Sequence, residues 1–129
     1  MLEKRPRILV VEDEESLVST LRDELEAGGF DVDPALTGEE ALRKVVADPP
    51  DLILLDLLLP GLGGLGVLSV LKGEERTRHI PVVILSNVGD ELKVQEALEL
   101  GAEEYLVKTR YALKDILERL HIILKTGRG

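Results

Sequence analysis

The stretch Asp51-Leu-Ile-Leu-Leu-Asp56-Leu-Leu-Leu-Pro60 decides the fold of this chain. Leu52 to Leu55 form an unbroken apolar run, as expected of a central parallel strand buried on both faces. Asp56 stands where that run leaves the sheet, and Pro60 stops it from continuing as a ladder strand. Ligands of open α/β sheets bind outside the carboxyl ends of the strands. A carboxylate placed there is therefore a functional candidate, although on this stretch alone a helix-capping or turn aspartate is the simpler account.

Upstream, Arg7 to Val11 make a short β-branched run that reads as a buried strand. Leu17, Val18, Leu21 and Leu25 then recur at helical spacing, and Gly28-Gly29 ends that helix. Acids in its first turn suit the positive end of the helix dipole. Phe30 to Leu36 is a weaker strand, and Pro34 inside it assigns it to an edge. Thr37-Gly-Glu-Glu40 has the spacing of a capping box. It opens a helix with Ala41, Leu42, Val45 and Val46 inward, closed by Pro49-Pro50.

Downstream of Pro60, a glycine-rich turn over Gly61 to Gly66 leads into a helix containing Leu65, Leu68 and Leu71. Pro81 to Leu85 reads as a fourth buried strand, ending at Ser86-Asn87. Asp90 is placed to cap a helix with Leu92, Val94, Ala97 and Leu98, stopped by Gly101. Glu104 to Val107 is a more polar strand, the other edge, with Lys108 at its end. A last helix carries Leu113, Ile116, Leu117, Leu120, Ile123 and Leu124, and a polar tail, Lys125 to Gly129, is expected to fray. Five alternating βα units imply an α/β fold, a five-stranded parallel sheet with helices on both faces. Right-handed crossovers and an edge position for strand two give the order 2-1-3-4-5. The order reverses between strands one and three, so the binding crevice is expected there.

Composition narrows the function. At 129 residues the chain is expected to be one domain, spanning 1–129. A 44% hydrophobic and 32% charged content argues against disorder. A net charge of −9 and only three aromatics, Phe30, Tyr105 and Tyr111, disfavour a nucleic-acid surface or a base-stacking platform. Without cysteine there is no disulfide, thiolate metal site or cysteine nucleophile. No segment has the apolar length to span a bilayer, and no signal-peptide core follows the N-terminus. The absence of cysteine fits a cytoplasmic protein.

The residues at the strand ends form a chemical set. Strand one gives Glu12 and Asp13, strand three Asp56, strand four Ser86 and strand five Lys108. Carboxylates converging in one crevice repel one another without a cation, and hard oxygen ligands suit Mg²⁺. Mg²⁺ and Lys108 would neutralise a phosphoryl group on Asp56, and Ser86 would donate to one of its oxygens. Singly, each residue has a plainer role: helix-terminal acid, turn serine, edge-strand lysine. Their arrival together at the same end of successive strands is what those roles leave unexplained.

From roughly Arg7 to Leu124 the chain resembles the receiver domain of two-component response regulators. The resemblance rests on Glu12-Asp13 after strand one, and on Asp56 with Pro60 four and Gly64 eight residues on. It rests equally on Ser86 after strand four and on Gly101-Ala102 preceding Tyr105-Leu-Val-Lys108. It implies the flavodoxin-like fold, with Asp56 as phosphoacceptor. Glu12, Asp13, Asp56 and the Leu58 carbonyl would hold Mg²⁺. Ser86 and Lys108 would contact the phosphoryl group, and Tyr105 would swing inward when Ser86 moves. The phosphodonor would be a histidine kinase or a phosphotransfer protein, and the recipient a downstream protein or an attached output domain, with homodimerisation open. Such a protein catalyses its own phosphorylation and dephosphorylation and is not a turnover enzyme. Thr109 departs from the family's usual proline, Asn87 from its usual alanine or glycine, and Gly63 from its common Asp or Asn. None of these removes a reacting group.

Two other chemistries fit less well. Gly61-Leu-Gly-Gly-Leu-Gly66 matches G-x-G-x-x-G, but it does not follow its strand directly and the next strand ends in Ser86 rather than an acid. A haloacid-dehalogenase-like phosphatase needs a second aspartate two residues after the nucleophile, where this chain has Leu58. The alternative from another class is a receiver-like interaction module that works without phosphorylation.

Overall fold

A computed structural model describes residues 5–87 and 91–126. Among these, five strands form one parallel sheet in the order β2-β1-β3-β4-β5, with β1 over Arg7–Val11, β2 over Asp31–Ala35, β3 over Leu52–Leu55, β4 over Val82–Ser86 and β5 over Glu104–Val107. The helices are α1 (Glu15–Ala27), α2 (Gly38–Ala47), α3 (Gly63–Gly73), α4 (Glu91–Glu99) and α5 (Leu113–Thr126). A short 3₁₀ turn, Lys108–Arg110, follows β5.

The period-2 geometry of the strands divides their side chains between two cores. Ile8, Val10, Leu52, Leu54, Val83 and Leu85 meet Leu21 and Leu25 of α1 and Ile116, Leu120 and Ile123 of α5. Leu9, Val11, Ile53, Leu55, Val82 and Ile84 meet Ala41 and Val45 of α2, Val67, Leu68 and Leu71 of α3, and Ala97 of α4. Every residue of β3 is buried, because helices cover both faces of this central strand. Burial of each such side chain contributes about 1.5–3 kcal/mol.

Both edges fall where the composition placed them, and the β2 edge is closed by side chains. Asp31 donates to the Pro6 carbonyl, and the Ala35 carbonyl accepts from Glu12 N–H, so these residues face β1. The intervening backbone groups point outward. Arg5 donates to the Phe30 carbonyl at 2.9 Å, Lys44 Nζ to the Pro34 carbonyl at 2.6 Å, and Leu36 N–H to Glu40 Oε1 at 2.7 Å. Pro34 has no N–H to offer. The edge therefore presents little that a further strand could pair with. Thr37 caps α2 by accepting from Glu40 N–H at 3.1 Å. The reciprocal Glu40 bond goes to Leu36, one residue before the cap, rather than to Thr37 as the capping box implies.

Three local expectations differ. The turn after Pro60 is shorter than Gly61–Gly66, because α3 already begins at Gly63. On α2, Ala41 and Val45 are buried as expected, but Val46 is 58% exposed, because one position on from Val45 lies about 100° round the helix, off its inward face. Lys125 continues α5, and residues 127–129 of the tail lie outside the described residues, as does Asp90 with its expected capping role.

The edge closure is testable. Lys44→Ala is expected to cost about 1 kcal/mol in urea unfolding, the net worth of one such hydrogen bond. It should also raise concentration-dependent light scattering as the Pro34 carbonyl is uncovered. Unchanged scattering would mean that Lys44 does not guard this edge.

Candidate phosphoacceptor site

The carboxyl ends of β1, β3 and β5 bring four of the expected residues together. Glu12 follows β1 directly and is almost fully buried, and Asp13 beside it is exposed. Asp56 follows β3, is 7% exposed, and is tied to β1 by its N–H donating to the Val11 carbonyl at 3.0 Å. One oxygen each from Glu12, Asp13 and Asp56 lie within 4.8 Å of one another. Lys108 enters from the end of β5. Its Nζ lies 2.8 Å from Glu12 Oε1 and 3.7 Å from Asp56 Oδ2.

Main-chain amides orient both buried acids. Glu12 Oε2 accepts from Glu14 N–H at 3.2 Å, at the entrance to α1, where the helix dipole favours an anion. Asp56 Oδ1 accepts from Leu58 N–H at 3.2 Å. Sequence reasoning missed both donors, since a main-chain amide leaves no residue-type signal. The Leu58 side chain points outward, 60% exposed, between the buried Leu57 and Leu59.

Ser86 is the last residue of β4 and fully buried; it pairs in register with Val107, the neighbour of Lys108. Tyr105 pairs with Ile84 and packs, half-buried, against the α2–α3–α4 core. Asn87 is exposed next to Ser86. The peptide bonds of the described residues are all trans, Lys108–Thr109 included.

Burial pushes the Glu12 carboxyl above its ordinary range. Hydrogen bonding to Lys108 opposes the shift, and the Asp56 charge adds to it. The folded state thus holds this proton more tightly than the unfolded chain does, so the Glu12 contribution to stability falls as pH rises through the raised value. A cation among the three oxygens would offset that cost. The set fits a hard divalent cation: oxygen donors only, one of them open to solvent, and room for water at Asp13.

The geometry meets a family at this point. Residues 8–121 match the response regulator receiver domain. The chain belongs to that family. It is 37% identical over 123 residues to the phosphate regulon transcriptional regulatory protein PhoB of Rhizobium meliloti, covering 95% of this chain and 54% of that protein. It is 40% identical over 119 residues to the alkaline phosphatase synthesis transcriptional regulatory protein PhoP of Bacillus subtilis, covering 92% and 48%. The receiver chain thus spans about half the length of these curated relatives. A solved response regulator from Chloroflexus aurantiacus superposes with a TM-score of 0.88 at 30% identity, over 95% of this chain and 99% of that one. No helix among the described residues is long and apolar enough to cross a membrane.

Removing the lysine tests the electrostatics of this receiver crevice. Lys108→Met leaves Glu12 and Asp56 facing each other across a half-dry site. The expected loss is roughly 2–3 kcal/mol in metal-free unfolding, below the usual cost of a fully buried broken pair because Lys108 is partly exposed. Added MgCl₂ should return part of that loss. A deficit that MgCl₂ leaves untouched would show that the acids do not share a cation.

Proposed function

We propose that this chain is a phosphorylation-activated signalling receiver that accepts a phosphoryl group on Asp56. The observation that carries the reading is the position of Lys108 Nζ, in reach of both Glu12 and Asp56 and beside the three-carboxylate cluster. A structural ion pair needs one acid, whereas an anion-transfer site needs a nucleophilic carboxylate, neutralising cations and an open side. Glu12, Asp13, Asp56 and the Leu58 carbonyl would hold Mg²⁺, which supplies charge neutralisation for the transferring group when bound.

An Asp56 carboxylate oxygen attacks phosphorus, the new O–P bond forms in line with the breaking bond to the donor, and that bond's electron pair leaves with the donor, an acetate departing as the anion and a donor imidazole taking its proton from solvent. The Leu58 amide keeps the other Asp56 oxygen turned away from the attack. Lys108 then moves its charge from Glu12 and Asp56 onto the phosphoryl oxygens, and the Ser86 hydroxyl donates to one of them. Drawing Ser86 outward opens space toward which Tyr105 turns, shifting a population between two packings. The surface that reads the change is α4, β5 and α5. The protein turns over its own phosphoryl group and is not otherwise an enzyme.

The donor on this reading is a histidine kinase or a phosphotransfer protein, and the setting is cytoplasmic. The matched relatives carry names of transcriptional regulators and about twice this length, which supports an output delivered through an attached domain or a separate protein. The receiver portion itself, at a net charge of −9, does not touch nucleic acid.

Acetyl phosphate with MgCl₂, followed by intact-mass measurement, is expected to add one phosphoryl group, and Asp56→Asn to abolish it with the fold unchanged by circular dichroism. Labelling that persists in Asp56→Asn would sink the assignment. A wild type that takes neither phosphoryl nor beryllofluoride would favour the phosphorylation-independent interaction module.

A further inference from the structure

The loop that carries Asp56 is seated from behind on a helix rather than on side chains. A β-carbon at Gly64 would lie 2.4 Å from the Asp56 carbonyl oxygen and 2.5 Å from Leu57 Cα. Both are main-chain atoms, so neither can rotate away. Gly64 is buried, and its N–H donates to the Leu57 carbonyl at 3.1 Å. Its φ is not positive, so space, not conformational freedom, is what requires glycine here. The other glycines of α3 differ. Gly63 takes a φ of +78° and has nothing within 4 Å of the place a methyl would occupy, Gly66 would touch only the Leu62 side chain, and Gly73 faces open space.

The helix cannot yield in place of the loop. Val67, Leu68 and Leu71 are 0–2% exposed in the core. From the other side, a β-carbon on Gly38 of α2 would already meet Val67 Cγ2 at 2.6 Å, so α2 is in close contact with α3 there. A methyl at Gly64 would therefore move the Asp56–Leu57 main chain, by about 1 Å if ordinary contact distances are to be restored. That main chain also carries Leu58 N–H, the donor that orients Asp56 Oδ1. A displacement of about 1 Å at a reacting group can cost on the order of a hundredfold in rate.

We propose that Gly64 is a positioning residue for phosphoryl acceptance: the first turn of α3, packed bare against the Asp56–Leu57 main chain, sets the aim of the Asp56 carboxylate toward Glu12 and Lys108. The role rests on Asp56 being the phosphoacceptor. It acts through main-chain placement and adds no group of its own to the chemistry.

Wild type, Gly64→Ala, Gly66→Ala and Leu25→Ala are compared with acetyl phosphate as donor and MgCl₂ as the metal. Gly66→Ala puts the same methyl on the same helix without a main-chain contact. Leu25→Ala lowers stability from α1 without approaching Asp56. Gly64→Ala is expected to phosphorylate ten- to a hundredfold more slowly at saturating donor and to bind Mg²⁺ at least threefold more weakly by calorimetry. The two controls should stay within twofold of wild type at a temperature where all are folded. A Gly64→Ala rate within twofold of wild type, or an equal fall in Leu25→Ala, overturns the positioning role alone. A wild type that is never labelled removes the receiver reading and this role with it. If Gly64→Ala does not fold, amide exchange of the wild type decides. MgCl₂ with beryllofluoride should slow exchange at both Leu58 and Gly64, and a Gly64 rate left unchanged while Leu58 slows overturns the proposal.

Discussion

The constraint on which the rest depends is the pairing of one cation with two buried acids. Lys108 Nζ sits 2.8 Å from Glu12 and 3.7 Å from Asp56, and both acids are less than a tenth exposed. Isolated buried carboxylates cost several kcal/mol each. The crevice is tolerable because Lys108 offsets part of that cost, two main-chain amides satisfy an oxygen on each acid, and Asp13 leaves one side open to water. The compensation is incomplete, as the upward push on Glu12 shows. An acid cluster left short of positive charge is one that a divalent cation stabilises on arrival. The same shortfall of positive charge that strains the resting site is what would make it receptive to a divalent cation.

The sheet makes this pairing possible across 96 residues of chain. Parallel strands all end at the same edge, so residues placed just past β1, β3 and β5 converge without any local sequence relation. The order β2-β1-β3-β4-β5 sets β1 directly beside β3, and Val11 holds Asp56 by a main-chain bond. Because α1 leaves on one face and α2 and α3 on the other, a gap opens between β1 and β3 at that edge. β2 and β5 are also the two edges of the sheet. The first is sealed by Arg5, Lys44 and Glu40, and the second is clasped by Arg119 of α5 paired with Glu104.

Much of this was legible in the residues. The run Leu52–Leu55 could only be a doubly covered strand, Pro34 could only sit at an edge, and Asp56, Ser86 and Lys108 were readable because each ends a strand. Helix faces were less legible where the helix is short. On the ten residues of α2, Ala41 and Val45 went in as read, but Val46 turned outward. The Leu58 and Glu14 amides were invisible because every residue but proline carries the same donor. The Gly61–Gly66 stretch misled in length. Glycine signals a turn by its freedom at positive φ, which holds for Gly61 and Gly63 but not for Gly64, where the missing side chain serves close packing inside a helix.

That distinction bears on how the fold divides its labour. Gly63, Gly64, Gly66 and Gly73 all lie in α3, and each glycine in a helix interior gives up about 1 kcal/mol relative to alanine. Local propensity alone would not hold such a helix. It is held by Val67, Leu68 and Leu71, which bury almost completely between α2 and the sheet. The helix nearest the Asp56 loop is thus fastened through its core face and left thin where it meets Asp56 and Leu57. Filling Gly73, which faces open space, would add helix stability and touch nothing. Filling Gly64 would add the same propensity and displace the main chain of Asp56 and Leu57. Two substitutions of equal local benefit therefore have opposite consequences at the site, and the difference lies wholly in what stands opposite the missing methyl.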